Sequence, residues 1–143
     1  MRVGTYIVIL VLTSSVILTS ATIIAQSRTA QSSNEVVALT NEADRLSELH
    51  EYEKAFRLYR EAAKSGWYYP QSIISSMYGV GKGVPQDWKR SLMWKIVANR
   101  KEPNKKAELT SRYESLLTVI EIKAVEKAAD ICVTSQFVDC MDF

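Results

Sequence analysis

A helical pattern that recurs after 36 residues limits the folds open to this chain. Tyr52 corresponds to Trp88 at this spacing, and the positions that follow pair small residues with small ones and large apolar residues with large apolar ones. These further pairs are Ala55 and Ser91, Phe56 and Leu92, Leu58 and Trp94, and Ala62 and Ala98. A period of about 20 to 50 residues in helical sequence is typical of stacked helical hairpins, because a single hairpin cannot bury its apolar face alone.

Helical periodicity runs from residue 34 almost to the C-terminus, and no strand pattern interrupts it. In the first helix the apolar residues are predicted to share one face: Val36, Val37, Leu39, Ala43, Leu46 and Leu49. A break is predicted near residues 49–51, because a second register begins at Tyr52. Gly66 is predicted to end this second helix in a left-handed turn.

Residues typical of helix starts divide the rest of the chain. Pro70 is predicted to begin a helix that stops at Gly79, because proline loses no hydrogen bond at the first helical position. Asp87 is the predicted N-cap of the next helix. A further helix is predicted from Pro103 to about Leu117.

The last helix has the clearest start signal. Thr118 and Glu121 form the T-x-x-E pattern of a capping box, in which each residue satisfies a backbone N–H of the other. The apolar residues that follow at helical spacing are Ile122, Val125, Ala129 and Cys132. They predict a helix with one buried face.

The segment GVGKGVPQDW, residues 79–88, contains three of the five glycines. A phosphate-binding loop of the Walker type has the pattern G-x-x-x-x-G-K-[ST] after a strand, whereas here Gly83 precedes Val84 and a helix comes first. The glycines therefore predict a tight reversal between two helices, with positive φ where it is needed. The residues predicted to shape this turn are Gly79, Gly81, Gly83, Pro85 and Asp87.

The segment PQSIISSMYGVGKGVPQDWKRSLMWKIVAN resembles the Sel-1-like repeat, a relative of the tetratricopeptide repeat. Pro70-Gln71 stands at the family's Ala-Gln, and Ile74-Ser75 stands at its Leu-Gly. Met77-Tyr78 and the loop 81–87 match the family closely. The segment EYEKAFRLYREAAKSG looks like the second helix of a preceding unit.

The resemblance is clear from Tyr52 to Asn99, about a third of the chain. Ser75 and Ser91 replace small residues of the family pattern. The unit that begins near Asn34 lacks the glycine loop, and the one that begins near Asn104 matches only loosely.

The resemblance implies an all-α fold, a short right-handed α-solenoid of two to three helical hairpins with a C-terminal capping helix. Family members generally act as adaptors through the concave face that the first helices of the hairpins form. The residues that this implies for partner binding are Trp67, Tyr68, Tyr69, Gln71, Ser72, Ser75 and Ser76. For the three aromatic residues a second interpretation is that they plug the end of the core between repeats.

Residues 3–25 contain no charge and follow Arg2, which is typical of a secretory signal. Residues 1–25 are predicted to be a signal peptide, cleaved after Ala25 or Ala21, or an uncleaved N-terminal membrane anchor. Both interpretations place the rest of the chain outside the cytoplasm, in the periplasm or secreted. Residues 26–33 are predicted to be a flexible linker, and residues 34–143 the repeat domain with its cap.

Cys132 and Cys140 are the two cysteines of the chain. In an exported protein such a pair predicts a disulfide, which here would fasten the C-terminal cap. Two free thiols in a reducing compartment are the alternative. The pair alone has too few ligands for zinc, and no histidine lies near it, so no metal site is expected.

No catalytic constellation is apparent, because His50 is the single histidine and has no recognisable partners. A net charge of +2 is too balanced to indicate nucleic-acid binding. The resemblance implies a non-catalytic protein-binding module of the bacterial envelope, without a cofactor, whose partner is another protein. The resemblance leaves two alternatives: an immunity protein against an exported toxin, and a cell-wall hydrolase or peptidoglycan-binding protein.

Overall fold

The computed structural model describes residues 32–140, and this part of the chain consists of helices and turns without a strand. The first helix, α1, covers residues 32–48 of the described part. The later helices are α2 (Tyr52–Ala63), α3 (Tyr68–Val80), α4 (Trp88–Ala98), α5 (Lys105–Ser111) and α6 (Val119–Thr134). The prediction of an all-α protein is therefore confirmed. The packing described below lies within the unit Val36–Phe143.

The predicted signal or anchor, residues 1–25, lies outside the described residues, as does most of the predicted linker. Residues 32 and 33, at the end of that linker, belong to α1. Among the helices of the described part, none is long and apolar enough to cross a membrane.

The helices pack in sequential pairs around one apolar core. Helix α3 lies between α2 and α4, and α4 also contacts α5 and α6. The residues repeated after 36 positions occupy equivalent places, since Tyr52 and Trp88 are the first residues of α2 and α4. Seven members of the repeated pairs are buried: Ala55, Phe56 and Ala62 in α2, and Ser91, Leu92, Trp94 and Ala98 in α4. The pattern recurs because α2 and α4 bury side chains at equivalent positions.

The predicted caps are present. The Asp87 side chain accepts a hydrogen bond from the backbone N–H of Arg90 at 2.9 Å. Thr118 and Glu121 form a complete capping box at the start of α6. Gly66 ends the turn after α2 with φ 78°, in the left-handed region, as predicted.

The bounds of two predicted helices differ from the structure. Helix α3 begins at Tyr68 and continues to Val80, so Pro70 lies third in the helix and Gly79 lies inside it. Proline is tolerated there because the first-turn N–H groups have no partner within the helix. Helix α5 is shorter than predicted and buries a single residue, Leu109, so little apolar packing supports a longer helix.

The buried face of α1 also differs from the predicted one. Val37 and Leu49 are exposed, whereas Val36 is buried. Thr40 is buried too, and its hydroxyl donates to the carbonyl of Val36 at 2.7 Å. This local bond satisfies a polar group that the apolar pattern had placed outside the core.

The glycine loop after α3 packs onto the start of α2. Gly81 caps α3 in the left-handed region, and Gly83 has φ 77°. A Cβ on Gly83 would overlap the carbonyl of Tyr52, with the carbonyl carbon only 2.6 Å away. Gly79 was predicted to shape the turn, but it lies within α3. A Cβ on Gly79 would lie 3.0 Å from the Ser91 hydroxyl oxygen on α4, so glycine allows the two helices to approach closely.

The Cys132–Cys140 disulfide is confirmed, with the Cα atoms 4.4 Å apart and both residues buried. It closes the loop that follows α6. Phe137 in this loop lies against Gly66, and the Arg100 guanidinium lies 4.9 Å above the Phe137 ring. The disulfide therefore holds the end of the described chain against the turn between α2 and α3.

Candidate functional site

The three aromatic residues at the start of α3 are exposed. Trp67, Tyr68 and Tyr69 show 41%, 56% and 47% of their surface to solvent. Side chains that filled the end of the core would be buried, so the interpretation as core plugs is wrong. Large aromatic side chains that remain exposed are available for recognition.

Gln71 and Ser75 lie in the interior, which corrects their assignment to the recognition surface. Their exposed fractions are 0% and 2%. Gln71 donates from Nε2 to the carbonyl of Ala63 at 3.0 Å and accepts a bond from Arg100 at 3.0 Å. Arg100 also donates to the carbonyl of Gly66. The Gln71 side chain thus joins α3 to the ends of α2 and α4.

Ser75 forms a reciprocal pair with Ser91 across the contact of α3 and α4. Each hydroxyl donates to the other residue's carbonyl at 2.8 Å. Small side chains at this contact let the two helices approach closely, and the hydrogen bonds satisfy both buried hydroxyls. The remaining predicted residues lie on the outer side of α3: Ser72 is half-buried, and Ser76 is exposed.

A groove lies between α1 and α3, and we call it the α1–α3 groove. Its volume is about 540 Å³. It is lined by Asp44, Ser47 and Glu48 of α1, by Tyr69, Ile73, Ser76, Met77 and Val80 of α3, and by Tyr59 and Lys82. Two residues predicted for recognition, Tyr69 and Ser76, thus lie in one concave surface.

Asp44 connects three helices at this groove. Its Oδ1 atom accepts hydrogen bonds from the hydroxyls of Tyr59 at 2.5 Å and Tyr69 at 2.9 Å. Burial raises the pKa of the Tyr59 phenol, and the hydrogen bond to the Asp44 carboxylate raises it further. The pKa of Tyr69 is raised by the same two causes in the same order. The phenols therefore stay protonated and hold the Asp44 carboxylate in place.

Asp44, Glu48 and Tyr59 were not predicted as site residues. In the sequence Tyr59 fits the apolar spacing of α2, and neither Asp44 nor Glu48 belongs to a catalytic or metal-binding motif. The spacing of Asp44 and Glu48, four residues apart, was the available signal, because it places both carboxylates on one face of α1.

Two other concave regions contain none of the predicted recognition residues. A cavity of about 380 Å³ lies between the end of α4, α5 and α6, with Ile96, Leu109 and Val133 among its walls. A shallow region of about 420 Å³ surrounds His50. The His50 ring contacts the backbone carbonyl of Glu48 through Nδ1 at 3.0 Å. Among the described residues that line these two regions, there is no Ser-His-Asp or Cys-His arrangement.

Within residues 32–140, no group of three or more histidine, cysteine or acidic side chains is placed to hold a metal ion. Comparison with protein-family models, curated proteins and solved structures gives no match for this chain. The candidate site therefore rests on its own geometry.

Three tyrosine phenols with raised pKa values predict an unusual alkaline titration. Burial raises the pKa of Tyr59, Tyr69 and Tyr78, three of the seven tyrosines, above the ordinary value near 10. Above about pH 10 the unfolded chain loses these protons first, so the free energy of unfolding falls as the pH rises through the folded-state pKa values. Below about pH 10 the three phenols are protonated in both the folded and the unfolded chain, so their contribution to the free energy of unfolding is fully present.

Absorbance of tyrosinate measures this effect directly. At a pH just above 10, the native protein should have a smaller ionised fraction than the same protein in denaturant. Tyr59→Phe should reduce the difference between the two curves. Coincident native and denatured titrations would contradict the burial of these hydroxyls.

Proposed function

We propose that this protein is a non-catalytic protein-binding module, built as a short right-handed α-solenoid of Sel-1-like hairpins. The hairpins would be α1–α2, α3–α4 and α5–α6, with α6 covering the open end. The equivalent register of α2 and α4 after 36 residues supports this arrangement. The close packing of the Gly83 loop onto α2 supports it too, because neighbouring units of a solenoid must contact each other.

The observation that carries the proposal is the α1–α3 groove. It lies along the first helices of two consecutive hairpins and combines an exposed aromatic ring, Tyr69, with aliphatic and charged walls. A concave surface with a few fixed polar groups suits recognition of a protein segment. The Asp44 hydrogen bonds hold Tyr69 in place before a partner arrives, which lowers the entropy cost of binding.

We place the protein outside the cytoplasm of a bacterial cell, in the periplasm or secreted. The uncharged stretch 3–25 after Arg2 supports export. A disulfide between Cys132 and Cys140 agrees with an oxidising compartment.

Affinity capture tests the proposed function. Residues 26–143, purified oxidised, serve as bait for an envelope extract, and one stoichiometric protein partner is expected. Trp67→Ala with Tyr69→Ala should reduce capture at least about tenfold, because exposed aromatic side chains dominate many interfaces. The helical circular dichroism should remain unchanged.

The matched control is Val119→Ala with Ile120→Ala, which removes two exposed apolar side chains of α6 far along the chain from α3. This variant should capture the partner as well as the wild type. Enrichment of cell-wall fragments without a protein would refute the proposal and favour a hydrolase or glycan-binding protein. A captured toxin would identify the protein-binding module as an immunity protein.

A further inference from the structure

We infer that the α1–α3 groove receives a partner segment in which a lysine or arginine lies beside an aliphatic or aromatic residue. This inference rests on the proposed function and names the chemistry of its partner. It follows from the two unlike walls of the groove, which are acidic on α1 and apolar on α3.

The acidic wall consists of Asp44 and Glu48, one helical turn apart. Within the described residues 32–140, neither carboxylate has a cation within ion-pair distance. The neighbouring acidic side chains do form ion pairs: Glu42 pairs with Arg45 at 2.7 Å, and Glu51 pairs with Lys54. The two tyrosine hydroxyls that donate to Asp44 are neutral, so they leave the negative charge of this wall without a counter-charge, and the wall can attract a cation.

Lys82 is the cationic side chain in the groove lining, and it faces another group. Its ammonium lies 4.1 Å from the centre of the Tyr52 ring, which holds it by a cation–π contact. With two carboxylates and one lysine, the groove is locally negative in a chain whose net charge is +2. This local charge opposes the charge of the whole chain, so it favours cationic segments and repels acidic ones.

The apolar wall comes from α3. Ile73, Met77 and Val80 follow one another at helical spacing along the groove. Val80 is exposed, and Met77 forms part of the buried floor. A bound segment that turns its cationic side chain toward α1 would therefore place its apolar side chain against α3. Burial of this apolar side chain would provide affinity, and the charge would select the segment.

The test uses the oxidised protein, expressed from its full-length chain and offered to a random peptide library on phage. Selected peptides should be enriched in lysine or arginine next to aliphatic or aromatic residues. One selected peptide, synthesised and labelled, then gives the affinity by fluorescence anisotropy.

Asp44→Asn with Glu48→Gln should weaken binding of that peptide at least about tenfold, because it removes both charges. The amide introduced by Asp44→Asn would still offer an oxygen to the two tyrosine hydroxyls, so the fold is kept. The matched control is Glu114→Gln with Glu126→Gln, which removes two acidic charges outside the groove lining and should leave the affinity unchanged. Added salt should weaken wild-type binding more than binding to the Asp44 and Glu48 variant.

The possible failures differ. Selected peptides without cationic enrichment, or equal affinity for wild type and the groove variant, would overturn this inference while the protein-binding function stands. Peptide enrichment on this protein is compared with enrichment on an unrelated control protein. If the two are equal but a protein is captured from the envelope extract, the inference is also overturned. If neither experiment finds a protein or peptide ligand, the proposed function fails with it.

Discussion

Gly83→Ala should lower the free energy of unfolding by about 3 kcal/mol or more. Two effects add at this position. The residue has φ 77°, and an L-residue held in the left-handed region costs about 1–2 kcal/mol. The new Cβ would also overlap the backbone carbonyl of Tyr52, and overpacking of this kind costs about 1–3 kcal/mol. Backbone atoms cannot rotate away, so the loop would have to separate from α2.

Gly81→Ala is the matched control, because Gly81 has nearly the same φ, 71°, without backbone overlap. A Cβ there would lie 3.3 Å from its nearest atoms, in Gln86. The expected loss is about 1–2 kcal/mol, mainly from the left-handed conformation. Urea denaturation followed by circular dichroism measures both variants. Equal losses for Gly81→Ala and Gly83→Ala would show that the loop does not pack closely onto α2.

Removal of the disulfide should have the second large effect. Cys132→Ser with Cys140→Ser should cost about 2–3 kcal/mol of unfolding free energy, because the unfolded chain gains conformational freedom when the closed loop is opened. The loss reaches beyond the loop, since Phe137 would no longer be held against Gly66 and Arg100. Gln136 and Phe137 have positive φ values, 55° and 67°, which such residues adopt only when the surrounding structure holds them.

Denaturation with and without a reductant provides the control. The reductant should destabilise the wild type by about the same 2–3 kcal/mol and leave the double serine variant unchanged. Limited proteolysis should cut residues 135–140 faster in the reduced protein and in the variant. Wild-type stability that does not depend on the reductant would contradict a structural role for this bond.

Much of the architecture could be predicted from local signals. The helix starts at Asp87 and Thr118 depend on side chains that bond to backbone groups within one turn, so neighbours in sequence suffice. The left-handed turn at Gly66 is equally local. The 36-residue recurrence predicted matching faces for α2 and α4 because both helices bury the same register.

The ends of α3 and α5 could not be predicted as well. Tyr68 and Tyr69 extend α3 before Pro70, where no capping side chain marks the start. Helix α5 depends on how much apolar surface it can bury against α4, and sequence periodicity alone does not measure that.

The candidate site shows the same division between sequence and tertiary structure. The three consecutive aromatic residues after Gly66 were a sequence signal, and the recognition interpretation of Trp67, Tyr68 and Tyr69 remains a prediction. The groove itself depended on contacts between distant residues, because Asp44 meets Tyr69 only when α1 and α3 lie side by side.

The sequence by itself determined which segments are helical, where several of them begin, and which face of α2 and α4 is buried. It also contained the cysteine pair that the disulfide joins. Only the tertiary structure decided that Gln71 and Ser75 are interior, since a polar side chain can be buried when a partner on another helix satisfies its hydrogen bonds. Only the tertiary structure brought Asp44, Tyr59 and Tyr69 together. Helix propensity acts between neighbours in the chain, whereas hydrogen bonding and burial depend on which helices pack together.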